Sequence, residues 1–308
     1  MSLRNLLLTY ILKKQLKRDP KGKTPMQIAR GMRFAMNNSP FAIKKAPKGF
    51  SFEPVDNDYV KGEWVYQTGK RATRTMLYLH GGGFIAGSPV THRALTMALA
   101  KALNARLLVP DYRLAPEHTY PAALQDAQKA YQWLLDQGVS TTSLSIAGDS
   151  AGGGLTLSLL TLLRDSNIPL PGYGIVFSPW ADMTASGNSL VTNDASDAMF
   201  YGEGVRVSAG IYPGKSDPAN PLISPVFADC NGFPPLLIFA SSSEVLLDDA
   251  LRVAENARKC GVPVDLQVWP KLPHVWPLFV RILPEAKKAI RYVADFVNRV
   301  DRTPSVQV

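Results

Sequence analysis

Leu144-Ser145-Ile146-Ala147-Gly148-Asp149-Ser150-Ala151-Gly152-Gly153 is the stretch around which the rest of the chain is organised. Its first four residues are apolar enough for a buried strand. From Ala151 to Leu163 apolar residues recur with helical spacing after a run of small ones. Ser150 therefore falls on a tight strand-to-helix turn, flanked by Gly148 and Gly152. Such a turn presents a serine hydroxyl as a candidate nucleophile, and it needs glycines because the strand and helix pass too close for side chains. A G-x-S-x-G string arises by accident in about one chain in ten of this size, so independent support is needed.

That support comes from His80-Gly81-Gly82-Gly83-Phe84, directly after the apolar run Thr75 to Leu79. A histidine followed by three glycines is expected by chance in only about two chains in a thousand of this composition. Glycines let backbone N–H groups point at one spot unobstructed, which suits an oxyanion hole. The N–H of Ala151, at a helix N-terminus, is the expected second donor. A phosphate loop is the rival use of such glycines, but the Walker lysine and the dinucleotide spacing are both missing.

In the α/β-hydrolase arrangement a serine is followed along the chain first by an acid and then by a histidine. His80, His92 and His118 precede Ser150, which leaves His274 as the base. It follows the expected strand Val264 to Trp269, where loops reach the carboxyl edge of the sheet. An acid after the strand Leu236 to Ala240 leaves Glu244, Asp248 and Asp249. Glu244 lies in the loop just past that strand, whereas the two aspartates come a helical turn later and have a role available as first-turn carboxylates complementing a helix dipole. Glu244 is the expected third member.

The 308 residues, 46% apolar, can bury a large core as one α/β domain or two smaller ones. The longest apolar runs are strand-sized and far short of the ~20 residues of a transmembrane helix. Two cysteines, Cys230 and Cys260, fit a reducing, cytoplasmic compartment, and no metal-ligand spacing is present. The net charge of +9 is unevenly placed: residues 1–48 hold twelve Lys or Arg against Asp19, and the remainder sums to −2. No nucleic-acid-binding motif or interleaved aromatics accompany that basic arm, so nucleic acid is not expected as a partner.

A signal peptide fits the N-terminus poorly, because Lys13-Lys14 follows the apolar run where a small-residue cleavage site belongs. An amphipathic helix fits better. Leu3, Leu6, Leu7, Tyr10 and Ile11 form its apolar face, with Lys13, Lys14, Lys17 and Arg18 beyond. A second helix is expected from the N-cap Thr24 to about Asn37. Strands near Phe50 and at Tyr59–Tyr66, Thr75–Leu79, Arg106–Pro110, Leu144–Ala147, Gly174–Phe177, Leu236–Ala240 and Val264–Trp269 alternate mostly with helices. Those helices are His92–Leu103, Ala122–Gln137, Ala151–Leu163, Leu246–Cys260 and Glu285–Val300. The polar, Pro- and Gly-rich stretch from Ser178 to Pro234 is too long for a simple connection and implies an insertion over the functional edge.

From about Met76 onward the chain resembles the bacterial hormone-sensitive-lipase-like (family IV) carboxylesterases. The motifs that carry the likeness are His80 to Phe84, Asp111-Tyr112-Arg113-Leu114-Ala115-Pro116-Glu117, Tyr120-Pro121-Ala122-Ala123, Gly148 to Gly153, Ser178-Pro179-Trp180-Ala181-Asp182 and Pro273-His274. The resemblance implies an α/β-hydrolase fold with a mostly parallel eight-stranded sheet and a helical cap. It also implies oxyanion donors at Gly82, Gly83 and Ala151, short- to medium-chain acyl esters as substrates, and no cofactor. The chain departs from the family at the acid, where Ser243-Glu244-Val245-Leu246 replaces an Asp-Pro-Leu pattern. Aligning the two puts Glu244 on the family's catalytic aspartate.

The expected organisation is therefore a helical cap segment over 1–48 and a catalytic domain over 49–308, with a cap insertion within about 180–225. The Asp111 to Glu117 segment is expected to brace the glycine loop, and Asp149 to anchor the elbow. The expected activity is that of a serine carboxylesterase acting through an acyl-enzyme. An amidase or peptidase would use the same residues; a small-molecule receptor of this fold would be marked by a lost base, whereas His274 is present. A homodimer and a weak contact between the basic segment and a membrane surface are both compatible with the sequence.

Overall fold

The computed structural model describes residues 2–17 and 22–302. Eight strands form one sheet: β1 (Phe50–Asp56), β2 (Lys61–Gln67), β3 (Arg74–Leu79), β4 (Ala105–Pro110), β5 (Leu144–Asp149), β6 (Tyr173–Phe177), β7 (Leu236–Ser241) and β8 (Val264–Trp269). Their order is β1-β2-β4-β3-β5-β6-β7-β8, antiparallel at the β1–β2 and β2–β4 pairs and parallel from β4 to β8. The helices among the described residues are α1 (Leu3–Gln15), α2 (Pro25–Asn37), α3 (Pro89–Leu103), α4 (Ala122–Asp136), α5 (Ala151–Asp165), α6 (Ser189–Thr192), α7 (Gly202–Ala209), α8 (Leu247–Lys259) and α9 (Pro284–Arg302).

Alternation along the strands divides the core in two. On β3, Leu77 and Leu79 face the cluster built by α4, α5 and α8, while Met76 and Tyr78 face the one built by α3 and α9; β7 does the same with Ile238 and Ala240 against Leu237 and Phe239. Both faces are thus covered, as a parallel sheet requires. Helix α3 starts at Pro89, three residues before the expected His92, because Ser88 and Thr91 form a capping box with proline at the first turn. Helix α2 starts where expected, with Thr24 and Gln27 forming its capping box.

The face by which α1 meets the protein is the reverse of the one expected. Asn5, Leu8 and Leu12 are buried, and the two leucines join the α3/α9 cluster, whereas Leu3, Leu6, Leu7, Tyr10 and Ile11 are exposed. Polar bonds fix this orientation. Ser2 donates through its N–H and Oγ to the Glu285 carboxylate (2.7 and 3.0 Å), and Asn5 Nδ2 donates to the Lys271 carbonyl (2.9 Å). The basic residues are not simply a solvated face either. Lys13 donates to the Ala195 carbonyl, Lys17 to those of Asp194 and Asp197, and Arg33 pairs with Glu117. Arg18, expected to extend the basic run, lies outside the described residues.

The stretch after β6 contains α6 and α7 and short turns. Met199, Phe200, Tyr201 and Val205 from it join Ile28, Met32 and Phe34 of α2 around one cavity at the carboxyl edge of the sheet.

Candidate active site

Strand β5 ends at Asp149 and α5 begins at Ala151, so Ser150 is the whole of the turn. Its φ of 53° and ψ of −122° lie where a side chain is strained. The surroundings hold it there: Ser150 N–H donates to the Phe177 carbonyl (2.8 Å), and the Ser150 carbonyl accepts from the N–H of Trp180 (2.9 Å) and Gly154 (3.0 Å). A Cβ on Gly148 would strike the Gly152 carbonyl, and one on Gly152 would strike that of Leu79. The flanking glycines are required by close backbone approach, as the sequence implied.

The glycine loop leaves β3 and turns at Gly82, whose φ of 126° favours glycine and whose carbonyl accepts from Ile85 and Ala86 N–H. No hydrogen bond among the described residues uses the N–H of Gly82 or Gly83. Ala151 likewise opens a helix, where the first N–H groups have no intrahelical acceptor. These donors are free to receive an oxygen.

Asp149 ties this loop to the elbow. Its Oδ1 accepts from Tyr78 Oη (2.7 Å) and Gly81 N–H (3.1 Å), and its Oδ2 lies 3.4 Å from His92 Nε2. Burial opposes charge on both members of that pair, but each stabilises the other, so His92 is raised above the usual imidazole range and Asp149 is lowered. His80 is different. Burial, reinforced by repulsion from His92, drives its pKa down to about 3, so it is a neutral ring stacked on Tyr112 at 4.2 Å. Tyr112 Oη donates to the His80 carbonyl (2.6 Å), and Ala115 N–H donates to that of Phe84 (2.8 Å). The Asp111 to Glu117 segment does brace the glycine loop.

Glu244 and His274 meet across the ends of β7 and β8. Glu244 is 1% exposed; its Oε1 accepts the Ser241 N–H (2.7 Å) and its Oε2 accepts from His274 Nδ1 (2.7 Å). A carboxylate can only accept, so the proton sits on Nδ1 and the lone pair on Nε2. Burial disfavours the imidazolium, but the bond and charge of Glu244 outweigh it and raise His274 above its ordinary value. Nε2 is buried without a protein partner, and His274 lines the same cavity as Ser150, Gly82 and Gly83. Ser241 Oγ secures the histidine loop by donating to the Leu272 carbonyl (2.7 Å) and accepting its N–H (3.0 Å).

The other two candidate acids lie elsewhere. Asp248 Oδ2 accepts the Ser189 N–H (2.9 Å), and Asp249 Oδ2 accepts those of Ala181 and Asp182 (2.8 and 2.9 Å). Each therefore braces the excursion after β6, a more specific duty than complementing a helix dipole. Burial pushes the Asp249 carboxyl up, its two N–H donors hold it down and Asp182 raises it again, leaving it at about 8. Three contributors left no signal in the sequence. Tyr78 and His92 hold Asp149, and Asp197 accepts the Val245 N–H (2.8 Å) beside Glu244 while its charge helps raise His274. Each acts over tens of residues of chain, with no motif or periodicity to mark it.

The cavity, about 580 Å³, is lined mainly by apolar residues, with Ser150 and His274 among the polar ones. Residues 76–278 match the family described as alpha/beta hydrolase fold. An acetyl-hydrolase of Streptomyces hygroscopicus is 43% identical over 77% of this chain and 79% of its own length. An esterase of Acinetobacter venetianus is 36% identical over 80% and 82%. Among solved structures, the esterase EstE5 soaked with p-nitrophenyl butyrate superposes with a TM-score of 0.91 at 40% identity, covering 98% of this chain and all of that one. An esterase of the bacterial hormone-sensitive lipase family gives 0.88 at 38%, covering 98% and 99%. With that sheet, that cavity and these relatives, the chain belongs to the alpha/beta hydrolase family, among the bacterial hormone-sensitive-lipase-type esterases, and is a carboxylic ester hydrolase.

Proposed function

We propose that the chain hydrolyses short- to medium-chain acyl esters through an acyl-enzyme on Ser150. The observation that carries this is the buried Glu244–His274 pair: its Nε2 has no partner among the described residues, and His274 lines the cavity that Ser150 also lines. His274 removes the serine proton as Oγ attacks the ester carbonyl; Glu244 holds the tautomer and stabilises the imidazolium. The N–H groups of Gly82, Gly83 and Ala151 receive the developing oxyanion. His274 then gives its proton to the departing alcohol, and water repeats the sequence to free the acid. Every step uses this chain's own groups and water.

The acyl preference is supported by the size of the cavity, in the middle of the ~300–1,000 Å³ range of small-molecule sites, and by relatives named for acetyl hydrolysis. Residues 1–48 and about 180–225 act as a cap over the catalytic domain of 49–308: α2 and the excursion after β6 supply most of the apolar wall. The free thiols of Cys230 and Cys260 lie side by side, which suits a reducing, cytoplasmic setting. A panel of p-nitrophenyl esters of increasing acyl length, run beside matched p-nitroanilides, tests the substrate class. Turnover is expected to peak on short to medium esters and to be far slower on the amides; faster amide cleavage would make the chain an amidase.

A further inference from the structure

Helix α1 is apolar on two sides, and the protein covers one of them. Asn5, Leu8 and Leu12 face inward, while Leu3 (83% exposed), Leu6, Leu7 (62%), Tyr10 and Ile11 face outward. A helix that is apolar all round is ordinarily buried all round. Charge restricts what can cover the outer side. At about 3.6 residues per turn Lys14 falls on the apolar side itself, its ammonium 4.6 Å from the centre of the Tyr10 ring, whereas Lys13 and Lys17 are bonded to carbonyls of the excursion after β6. A second copy presenting the same surface would set like charge against like. An anionic lipid surface takes up both features: the leucines enter the acyl boundary while the long Lys14 stem carries its charge to the phosphates.

The cavity mouth lies at the C-terminal end of α1. Leu16, Phe34 and Tyr201 line the cavity yet stand exposed, Phe34 by 73%, so they mark its rim. Leu16 directly follows α1, but at about 3.6 residues per turn it continues the inner side of Leu8 and Leu12, so the rim begins where α1 ends without being part of its outer face. We propose that the outer face of α1 docks on anionic lipid, with Leu3, Leu6, Leu7, Tyr10 and Ile11 in the interface. No described helix is long and apolar enough to cross a membrane, and the 13 residues of α1 lie in the interface plane. Docking is independent of the reaction; its use, delivery of apolar esters from the lipid, rests on the esterase reading above.

Co-sedimentation of the full chain with vesicles of phosphatidylglycerol and phosphatidylcholine, against phosphatidylcholine alone, tests it. Binding is expected to be at least about tenfold stronger with the anionic lipid and to weaken as salt shortens the Debye length. The variant Leu3→Gln/Leu6→Gln/Leu7→Gln is expected to lose that binding while keeping its rate on water-soluble p-nitrophenyl acetate, which reports an intact fold. Lys14→Glu, aimed at charge alone, is expected to weaken binding several-fold. Equal binding to both vesicles, no binding, or unchanged binding by the triple variant overturns the proposal. So does a light-scattering result in which the wild type is a dimer, the triple variant a monomer, and neither binds vesicles. Vesicle binding by a chain inactive on every soluble ester would sink the esterase reading and leave docking standing.

Discussion

The two sides of the cavity are built on different terms. On the sheet side, Ser150, Asp149, Glu244 and His274 are buried, and the three ionisable groups are held by named bonds at strand ends, Asp149 by Tyr78 and Gly81, and Glu244 by Ser241 and His274. On the cover side, Ile28, Met32, Phe34, Phe200 and Val205 offer shape and apolar surface, and Phe34 stands largely in solvent. Chemistry that depends on fractions of an ångström sits where backbone geometry dictates position. Under the proposed function, selection among acyl chains falls to the cover side, where side chains can be exchanged at modest cost.

The largest expected effect tests whether the sheet side alone carries the reaction. Ser150→Ala is expected to lower turnover by about 10⁶-fold with the fold intact, measured on a purified sample by ester hydrolysis and circular dichroism. More than a few per cent of residual turnover would take the nucleophile away from Ser150.

Next comes the acid. Glu244→Gln keeps the shape but removes the charge that fixes the tautomer, and is expected to cost roughly 10⁴-fold in turnover. Asp248→Asn and Asp249→Asn are expected to change the rate by less than about tenfold and to act mainly on thermal stability, because both carboxyls brace the cover side. A severe Asp248→Asn beside a mild Glu244→Gln would reverse the assignment.

The smallest effect is a displacement rather than a loss. As the proposed base, His274 would work only when neutral, and although burial opposes it, Glu244 raises its pKa above 6.5. Activity therefore falls as pH drops through a midpoint above 6.5 in the free enzyme, read from the kcat/KM profile. In Glu244→Gln burial still opposes the imidazolium while its main support is gone, so the residual activity is expected to lose its acid limb at lower pH. Superimposable limbs would show that Glu244 does not govern the histidine.

The same division explains what the sequence disclosed. The elbow, the glycine loop and His274 are legible because no other residue types meet the close approaches, the φ of Gly82 or the proton chemistry, and those demands recur as short strings. The strands followed from their apolar runs and ended within two residues of expectation. The orientation of α1 was not legible. Seven of the ten residues from Leu3 to Leu12 are apolar, so periodicity cannot distinguish its two sides, and the choice is made by Ser2 and Asn5 bonding to Glu285 and Lys271. Asp249 and Asp197 were also beyond reach, since their partners lie 68 and 48 residues away and leave no local imprint.

The bond from Ser2 to Glu285 spans 283 positions and carries a consequence for how the molecule comes into being. A ribosome adding about 5–20 residues per second releases α1 roughly 15–60 s before α9 can receive it. During that interval Leu8 and Leu12 have no α9 to pack on, and the helix is apolar on both sides with neither covered. It must wait, unfolded or sheltered, while the sheet assembles strand by strand. A helix made long before its partner is thus among the last to dock.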